Sequence, residues 1–323
     1  MGRPRMVETS RRQLGLVLVL ALAWVSGCKC GQSLATVDAS APTAAQTQEA
    51  RAEDEVRSVY STRAVKPAPL AQRLCAALHE VAARRRAECC AGGAPMLLVA
   101  GECVRTLSVA LASGAVKLEP AAVEACAQAM EKSHAGCEWV GPEAPPVPGA
   151  CLGILEGTLA AGARCRSSLE CVSGLRCLGV GPTDTGVCSA PLQAGHPCAY
   201  SVDTLSTYTR QVTLEAAHPE CQGHCFRRRC VDNVAPGGAC LLSEQCGPGQ
   251  HCAGEQCAPG DVAGLGQPCV SGGCEEGARC VQGTCATPKP SGAACERDAE
   301  CLGGCVRPDG GARGTCGPRC EAL

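Results

Sequence analysis

The stretch Cys240-Leu241-Leu242-Ser243-Glu244-Gln245-Cys246-Gly247-Pro248-Gly249-Gln250-His251-Cys252-Ala253-Gly254-Glu255-Gln256-Cys257 decides how this chain is read. Four cysteines fall in this short span, with glycine and proline between them and little apolar periodicity. A piece of about 30 residues cannot offset its ordering entropy by burial, whereas closing loops of this size with disulfides contributes on the order of 3 kcal/mol each. Cysteine stands where a core would be. Ala253-Gly254-Glu255-Gln256 also brackets a tight turn, because Gly254 tolerates the positive φ that a short hairpin loop needs.

The same order recurs along the second half of the chain. Gly162-Ala163-Arg164-Cys165, Gly195-His196-Pro197-Cys198, Gly238-Ala239-Cys240, Gly266-Gln267-Pro268-Cys269 and Gly292-Ala293-Ala294-Cys295 each open a unit of about four cysteines. The units continue with Cys171, Cys177 and Cys188; Cys221, Cys225 and Cys230; Cys246, Cys252 and Cys257; Cys274, Cys280 and Cys285; and Cys301, Cys305 and Cys316, with Cys320 beyond. Val281-Gln282-Gly283-Thr284 repeats the turn signal, and Pro/Gly linkers such as Ala258-Pro259-Gly260 separate the units. Small two-stranded hairpins are the expected secondary structure.

The order Cys165…Cys171-Val172-Ser173-Gly174-Leu175-Arg176-Cys177…Gly186-Val187-Cys188, with its echoes at Cys240 to Cys257 and Cys269 to Cys285, resembles the first half of the Dickkopf N-terminal cysteine-rich domain. The resemblance spans residues 160 to 320 and rests on spacing and a few glycines. The adjacent-cysteine and C-x-x-C elements of that family's second half are missing. The resemblance implies a secreted, disulfide-held module that binds protein without catalysis.

Thirty cysteines in 323 residues include no C-x-x-C pair. Cytosolic thiols stay reduced, so a chain of this composition belongs in an oxidising compartment. The N-terminus agrees. Arg3, Arg5, Arg11 and Arg12 precede an apolar run from Leu14 to Val25 that is too short to span a bilayer comfortably and reads as a cleaved signal peptide. It ends in Val25-Ser26-Gly27-Cys28, which resembles the bacterial lipoprotein box, and that resemblance implies diacylation of Cys28 as the new N-terminus. Lys29, by the sorting habit of such lipoproteins in two-membrane bacteria, points to the outer membrane, facing the periplasm or the surface. More than one acyl chain is needed for stable anchoring, and a lipidated cysteine supplies them. Asn233 is the only asparagine and opens no glycosylation sequon.

Removing residues 1–27 takes four arginines and Glu8 with it, leaving 25 basic against 30 acidic residues, so the formal charge moves from -2 to -5. Nothing in that balance suggests nucleic-acid or anionic-membrane binding beyond the anchor. Residues 28–69 have few large apolar side chains and read as the lipid anchor and a flexible tether, with a fraying helix over 44–59; Cys30 falls within it.

From 70 to 140 the period changes. Leu70, Leu74, Leu78 and Val81 mark an amphipathic helix over 69–89; Cys103, Leu107 and Leu111 mark a second, stopped by Gly114; Val123, Cys126 and Met130 mark a third that starts at Pro120. Three short helices bury too little to stand alone. Cys75, Cys89, Cys90, Cys103, Cys126 and Cys137 are expected to staple them by up to three bridges, with the connectivity open among fifteen pairings. A proline-rich linker follows at 141–150, and the repeats occupy 151–323. The expected fold class is therefore small and disulfide-rich: a short helical N-terminal bundle, then tandem cysteine-rich hairpin repeats with little regular secondary structure. Without Cys28 and the tether residue Cys30, 28 cysteines remain to pair. With six in the helical part, Cys151 must pair into the repeats, and the two regions are expected to meet there.

An enzyme would need a constellation, and none is found. His79-Glu80 begins like a zincin helix, but Ala83 stands where the second ligand should be. Gly264-Leu265-Gly266 begins like a dinucleotide loop, but Cys269 takes the third glycine's place. There is no G-x-S-x-G and no P-loop. His218, Cys221, His224 and Cys225 have spacing that could hold zinc, but in an oxidising compartment bridged cysteines are the expectation. No catalytic residue, metal or cofactor is assigned. Arg84, Arg85 and Arg86 read as the solvated end of a helix.

One feature rises above this background. The second repeat carries an insertion between Cys198 and Cys221, and with its neighbours it holds Tyr200, Tyr208 and Phe226, followed by Arg227, Arg228 and Arg229. Tyr208, Arg210, Val212 and Leu214 alternate as one face of a strand would. Aromatics and arginine dominate protein interfaces, which makes these residues the candidate partner-binding patch against the plainer reading of local packing and solvated charge. The sequence thus points to a non-enzymatic lipoprotein that binds an extracellular or envelope protein or glycan or braces the envelope. The alternative is a disulfide-scaffold protease inhibitor that presents Arg228.

Overall fold

The computed structural model describes residues 59–60, 65–92, 98–142, 145–181, 183–198, 203–211, 220–260, 262–269, 273–275, 277–308 and 310–320. Residues 1–27, read above as a signal peptide, Cys28, Cys30, nearly all of the segment expected to be a tether, Tyr200, Val212, Leu214 and His218 lie outside them.

The three expected helices form. α1 (Pro69–Cys75) starts with proline in its first turn, where the missing N–H costs nothing. The Ala68 amide just before it donates to the Ser108 hydroxyl at 2.9 Å. A π-helical turn over Ala76–Glu80 carries the chain without a break into α2 (Val81–Cys90), which stops at Ala91 in the left-handed region. α3 (Leu98–Ala112) and α4 (Pro120–Ser133) follow, joined by β1 (Val116–Leu118). Their apolar stripes meet in one core that includes Leu74, Leu78, Leu107, Val123 and Met130. The chain joins this core earlier than the tether boundary at residue 69 implied, because Tyr60 is fully buried in it and its carbonyl accepts from Arg105 Nη1 at 2.7 Å.

Disulfides staple the bundle. Cys75–Cys103 links α1 to α3, and Cys89–Cys137 ties the end of α2 to the loop after α4. Cys126–Cys151 ties α4 to a 3-10 turn at Gly149–Cys151. This corrects the expectation that Cys151 pairs into the repeats. The crossing is made instead by Cys90–Cys320. Counting cysteines could not separate these cases, since both leave every thiol paired. The consecutive Cys89 and Cys90 point about 100° apart on a helix, which lets one turn inward to the bundle and the other outward to the last repeat.

After β2 (Leu155–Gly157), antiparallel to β1, five repeats share one plan. In each, the first cysteine bonds the third and the second bonds the fourth: Cys165–Cys177 with Cys171–Cys188, Cys198–Cys225 with Cys221–Cys230, Cys240–Cys252 with Cys246–Cys257, Cys269–Cys280 with Cys274–Cys285, and Cys295–Cys305 with Cys301–Cys316. In every repeat three of these sulfurs lie within 4.8 Å of one another, so the two bridges stack into a core of their own. The amide of Gly162, Gly195, Gly237, Gly266 or Gly292 donates to the carbonyl of its repeat's last cysteine at 2.8 Å. Each of these glycines has positive φ, so the opening glycine of the third repeat is Gly237 rather than Gly238.

The strands are short. The first and last repeats form three-stranded sheets, from β3 (Arg164–Cys165), β4 (Arg176–Leu178) and β5 (Gly186–Ser189), and from β12 (Ala294–Cys295), β13 (Gly304–Val306) and β14 (Gly314–Gly317). The middle three are hairpins: β6 (His224–Phe226) with β7 (Arg229–Val231), β8 (Gln250–Ala253) with β9 (Gln256–Pro259), and β10 (Arg279–Val281) with β11 (Thr284–Ala286).

The chain closes on itself. The first repeat is seated on the bundle through β1–β2 and through the Thr158 amide, which donates to the Ala115 carbonyl at 3.0 Å. The last repeat returns to the bundle through Cys90–Cys320 and the Arg319 amide, which donates to the Val140 carbonyl at 2.7 Å. Arg84, Arg85 and Arg86 are not merely solvated: Arg84 and Arg85 pair with Glu131 of α4, while Arg86 donates to the Gly141 carbonyl and lies over Trp139.

Candidate binding surface on the second repeat

The insertion in the second repeat does not form the expected strand at Tyr208. It folds into α5 (Thr204–Tyr208), capped by Asp203, whose carboxylate accepts from the Ser206 amide at 3.0 Å. This short helix completes the bundle. Leu205 is fully buried in the core and Tyr208 packs, half-buried, at its edge. His79 Nε2 donates to the Tyr208 carbonyl at 2.7 Å, and Arg210, at φ 56°, donates to the Leu78 carbonyl at 3.2 Å. Burial holds the His79 imidazole below its ordinary pKa, against the bond to Tyr208. Tyr208 and the start of the zincin-like motif are thus spent on joining the insertion to the helices.

The remaining candidates lie together on the β6–β7 hairpin. Phe226 pairs with Arg229 across it, leaving Arg227 and Arg228 as a two-residue loop. Both have positive φ, 48° and 62°, the signature of a type I′ turn. The strands behind are pinned by Cys198–Cys225 and Cys221–Cys230, which also places the cysteines of the zinc-like spacing in disulfides. Arg229 is committed locally, donating to the Gly195 carbonyl at 2.9 Å. Phe226 is 48 % exposed, and the Arg227 guanidinium lies 5.1 Å from its ring centroid. Neither Arg227 nor Arg228 has an acidic partner among the described residues. Almost every other described arginine is engaged: Arg73 with Glu124, Arg105 with Glu102, Arg166 with Glu170, Arg313 with Glu296, Arg319 with Asp298, and others with backbone carbonyls.

A second polar constellation escaped the sequence reading. Where the first repeat meets the bundle, Glu170 is fully buried and accepts from the Arg166 amide at 2.7 Å and from Arg166 Nε at 3.0 Å. The Arg166 guanidinium lies 5.2 Å from the Tyr60 ring centroid. Asp203 sits beside them and accepts from the Ser168 amide at 2.8 Å. Burial raises the Glu170 carboxyl above its ordinary range in spite of Arg166. Burial, reinforced by Glu170 and Asp203, raises the Tyr60 phenol well above its own. The cluster is closed off and, apart from the buried Tyr60 hydroxyl, which has no hydrogen-bond partner among the described residues, its polar atoms serve the junction, so it cements rather than binds.

Between the fourth and fifth repeats lies a shallow cleft of about 540 Å³ whose charged lining is paired internally, Lys289 with Glu300 and Arg313 with Glu296. Among the described residues no helix is long and apolar enough to cross a membrane. Set against protein-family models, curated proteins and solved structures, the chain gives no match.

Proposed function

We propose that this protein is a non-enzymatic lipoprotein of the bacterial outer membrane, whose disulfide-built repeats bind a protein or glycan partner or brace the envelope. One observation carries the reading. All 28 cysteines from Cys75 to Cys320 are bonded to one another in fourteen disulfides, so Cys28 and Cys30 have no partner within that set. None of these bridges needs the thiol at the end of the lipoprotein-like box, which supports its acylation. So dense a network also needs an oxidising compartment. The module resembling the Dickkopf N-terminal domain supports protein binding, and the internally closed arrangement of repeats supports a rigid scaffold.

The protease-inhibitor alternative loses ground at Arg228. A protease cleft takes its substrate extended, whereas Arg228 sits at φ 62° inside a two-residue turn. The test is mass spectrometry of the native protein extracted from membranes without reduction. Two or three acyl chains on Cys28 and 28 paired cysteines are the expected result; a soluble, unacylated chain with many free thiols would overturn the reading.

A further inference from the structure

We propose that the tip of the β6–β7 hairpin is a second membrane contact, in which Arg227 and Arg228 grip the phosphates of anionic phospholipid headgroups while the Phe226 ring enters the interface. The proposal deepens the lipoprotein reading and rests on it for the presence of a bilayer.

Three observations converge. The first is the cost of the turn. The other two hairpins of this type place a glycine at one of their two left-handed positions, Gly254 beside Glu255 and Gly283 beside Gln282. Here both positions are arginine, which no local preference favours, and strain of this kind at an exposed tip points to use of the side chains. The second is commitment. Arg227 and Arg228 have no anionic partner among the described residues, in a molecule whose arginines are otherwise almost all paired, and in a mature chain of net charge -5. The third is shape. Phe226, Arg227, Arg228 and Arg229 are four consecutive exposed residues at a hairpin end, a protrusion rather than a pocket.

The shape selects the ligand. A small anion would be held in a concave site, and it would have no use for a half-exposed aromatic ring. A lipid surface uses all three side chains: guanidinium groups bind phosphate as forks, and aromatic rings settle at headgroup level. The disulfides beneath the turn hold the tip in shape, so little is lost in ordering it on contact.

The test uses the mature chain, residues 28–323, with Cys28→Ser, exported so that it oxidises but carries no lipid. Cosedimentation is measured with phosphatidylcholine vesicles and with vesicles containing phosphatidylglycerol. Binding to the second alone, weakened by salt, is expected. Arg227→Asn with Arg228→Gly installs the preferred sequence of a type I′ turn, so the hairpin holds while binding falls by roughly thirtyfold; Phe226→Ala lowers it further. Unchanged binding in the Asn-Gly variant, with fourteen disulfides verified by mass, would overturn the proposal. So would absence of binding to either vesicle, or complete competition by inorganic phosphate at matched ionic strength, which would make the site one for free phosphate. Because no acyl chain is present, this outcome is independent of whether Cys28 is lipidated in the native protein.

Discussion

Cys90 and Cys320 lie 230 residues apart in the chain and are joined by a disulfide that fastens the last repeat to the helical bundle. Cys320 is exposed and Cys90 half-buried, as are Cys137 and Cys89 of the neighbouring bridge, while Cys75, Cys103, Cys126 and Cys151 are fully buried. Thiolate attack needs access to a sulfur. Limiting reductant, followed by alkylation and peptide mapping, should therefore label Cys89, Cys90, Cys137 and Cys320 ahead of Cys75, Cys103, Cys126 and Cys151. With Cys90→Ser and Cys320→Ser together, the last repeat should show faster amide exchange and the protein should lose about 2–4 kcal/mol of stability. Early labelling of Cys75 or Cys126 would contradict this order.

The clasp is reinforced by backbone contact without side chains. A Cβ on Gly303 would lie 2.4 Å from the Glu138 carbonyl oxygen and 2.8 Å from that of Val140, and one on Gly141 would lie 2.0 Å from the Gly303 carbonyl oxygen. None of these atoms belongs to a flexible side chain that could swing away. Gly303→Ala should cost about 1–3 kcal/mol or more and loosen the return of the last repeat to the bundle. Gly101→Ala, on α3 with nothing within 4 Å, is the matched control and should gain about 0.5–1 kcal/mol. Denaturant midpoints of the two variants give the comparison; equal and small changes would remove Gly303 from the closure.

The local features were legible. Pro69 and Pro120 open the helices, Gly114 stops α3, and Gly254 and Gly283 mark turns because each acts within a few residues of itself. What crosses between elements was not. The alternation at Tyr208 reads as a strand, but Asp203 caps a helix there and Leu205 finds the core, so tertiary burial overrides a weak period. Tyr60 looks like part of a polar tether because its pocket is built by Arg105 and Arg166 from distant segments. One signal was available and missed. The residue before the second cysteine is Glu170, Glu220, Gln245 or Glu300 in four repeats. Each is used as an acceptor: Glu170 takes Arg166, Glu220 takes the Gly179 amide, Gln245 takes the Leu241 amide and Glu300 takes Lys289.

The arginine turn makes its own prediction about stability. A non-glycine residue in the left-handed region costs about 1–2 kcal/mol, and the loop carries two. Arg228→Gly alone should therefore raise the stability of the protein by about 1 kcal/mol, although the new glycine adds freedom to the unfolded chain. Gly283→Ala, at φ 79°, should move the other way by a similar amount. Thermal unfolding without reductant measures both. A loss of stability in Arg228→Gly would mean that the guanidinium makes contacts that stabilise the fold, and the tip would be structural.

Glu170 allows a test by pH. Its folded-state pKa is raised by burial, with Arg166 opposing, so between the ordinary value and the raised one the folded state holds a proton that the unfolded state has released. Stability then falls as pH rises through that window, the reverse of the usual carboxylate in an ion pair. Glu170→Gln removes the titration while keeping the size of the side chain. The difference in stability between Glu170→Gln and the parent protein should shift in favour of the variant as pH rises from 4 to 7, whatever the offset from losing the Arg166 pair. His79 and His134, both lowered by burial, work in the opposite sense: their contribution declines as pH falls below the ordinary histidine value. Comparing variant with parent at each pH cancels the histidines, and a difference that stays flat from pH 4 to 7 would mean that the buried carboxylate is stabilised fully by Arg166.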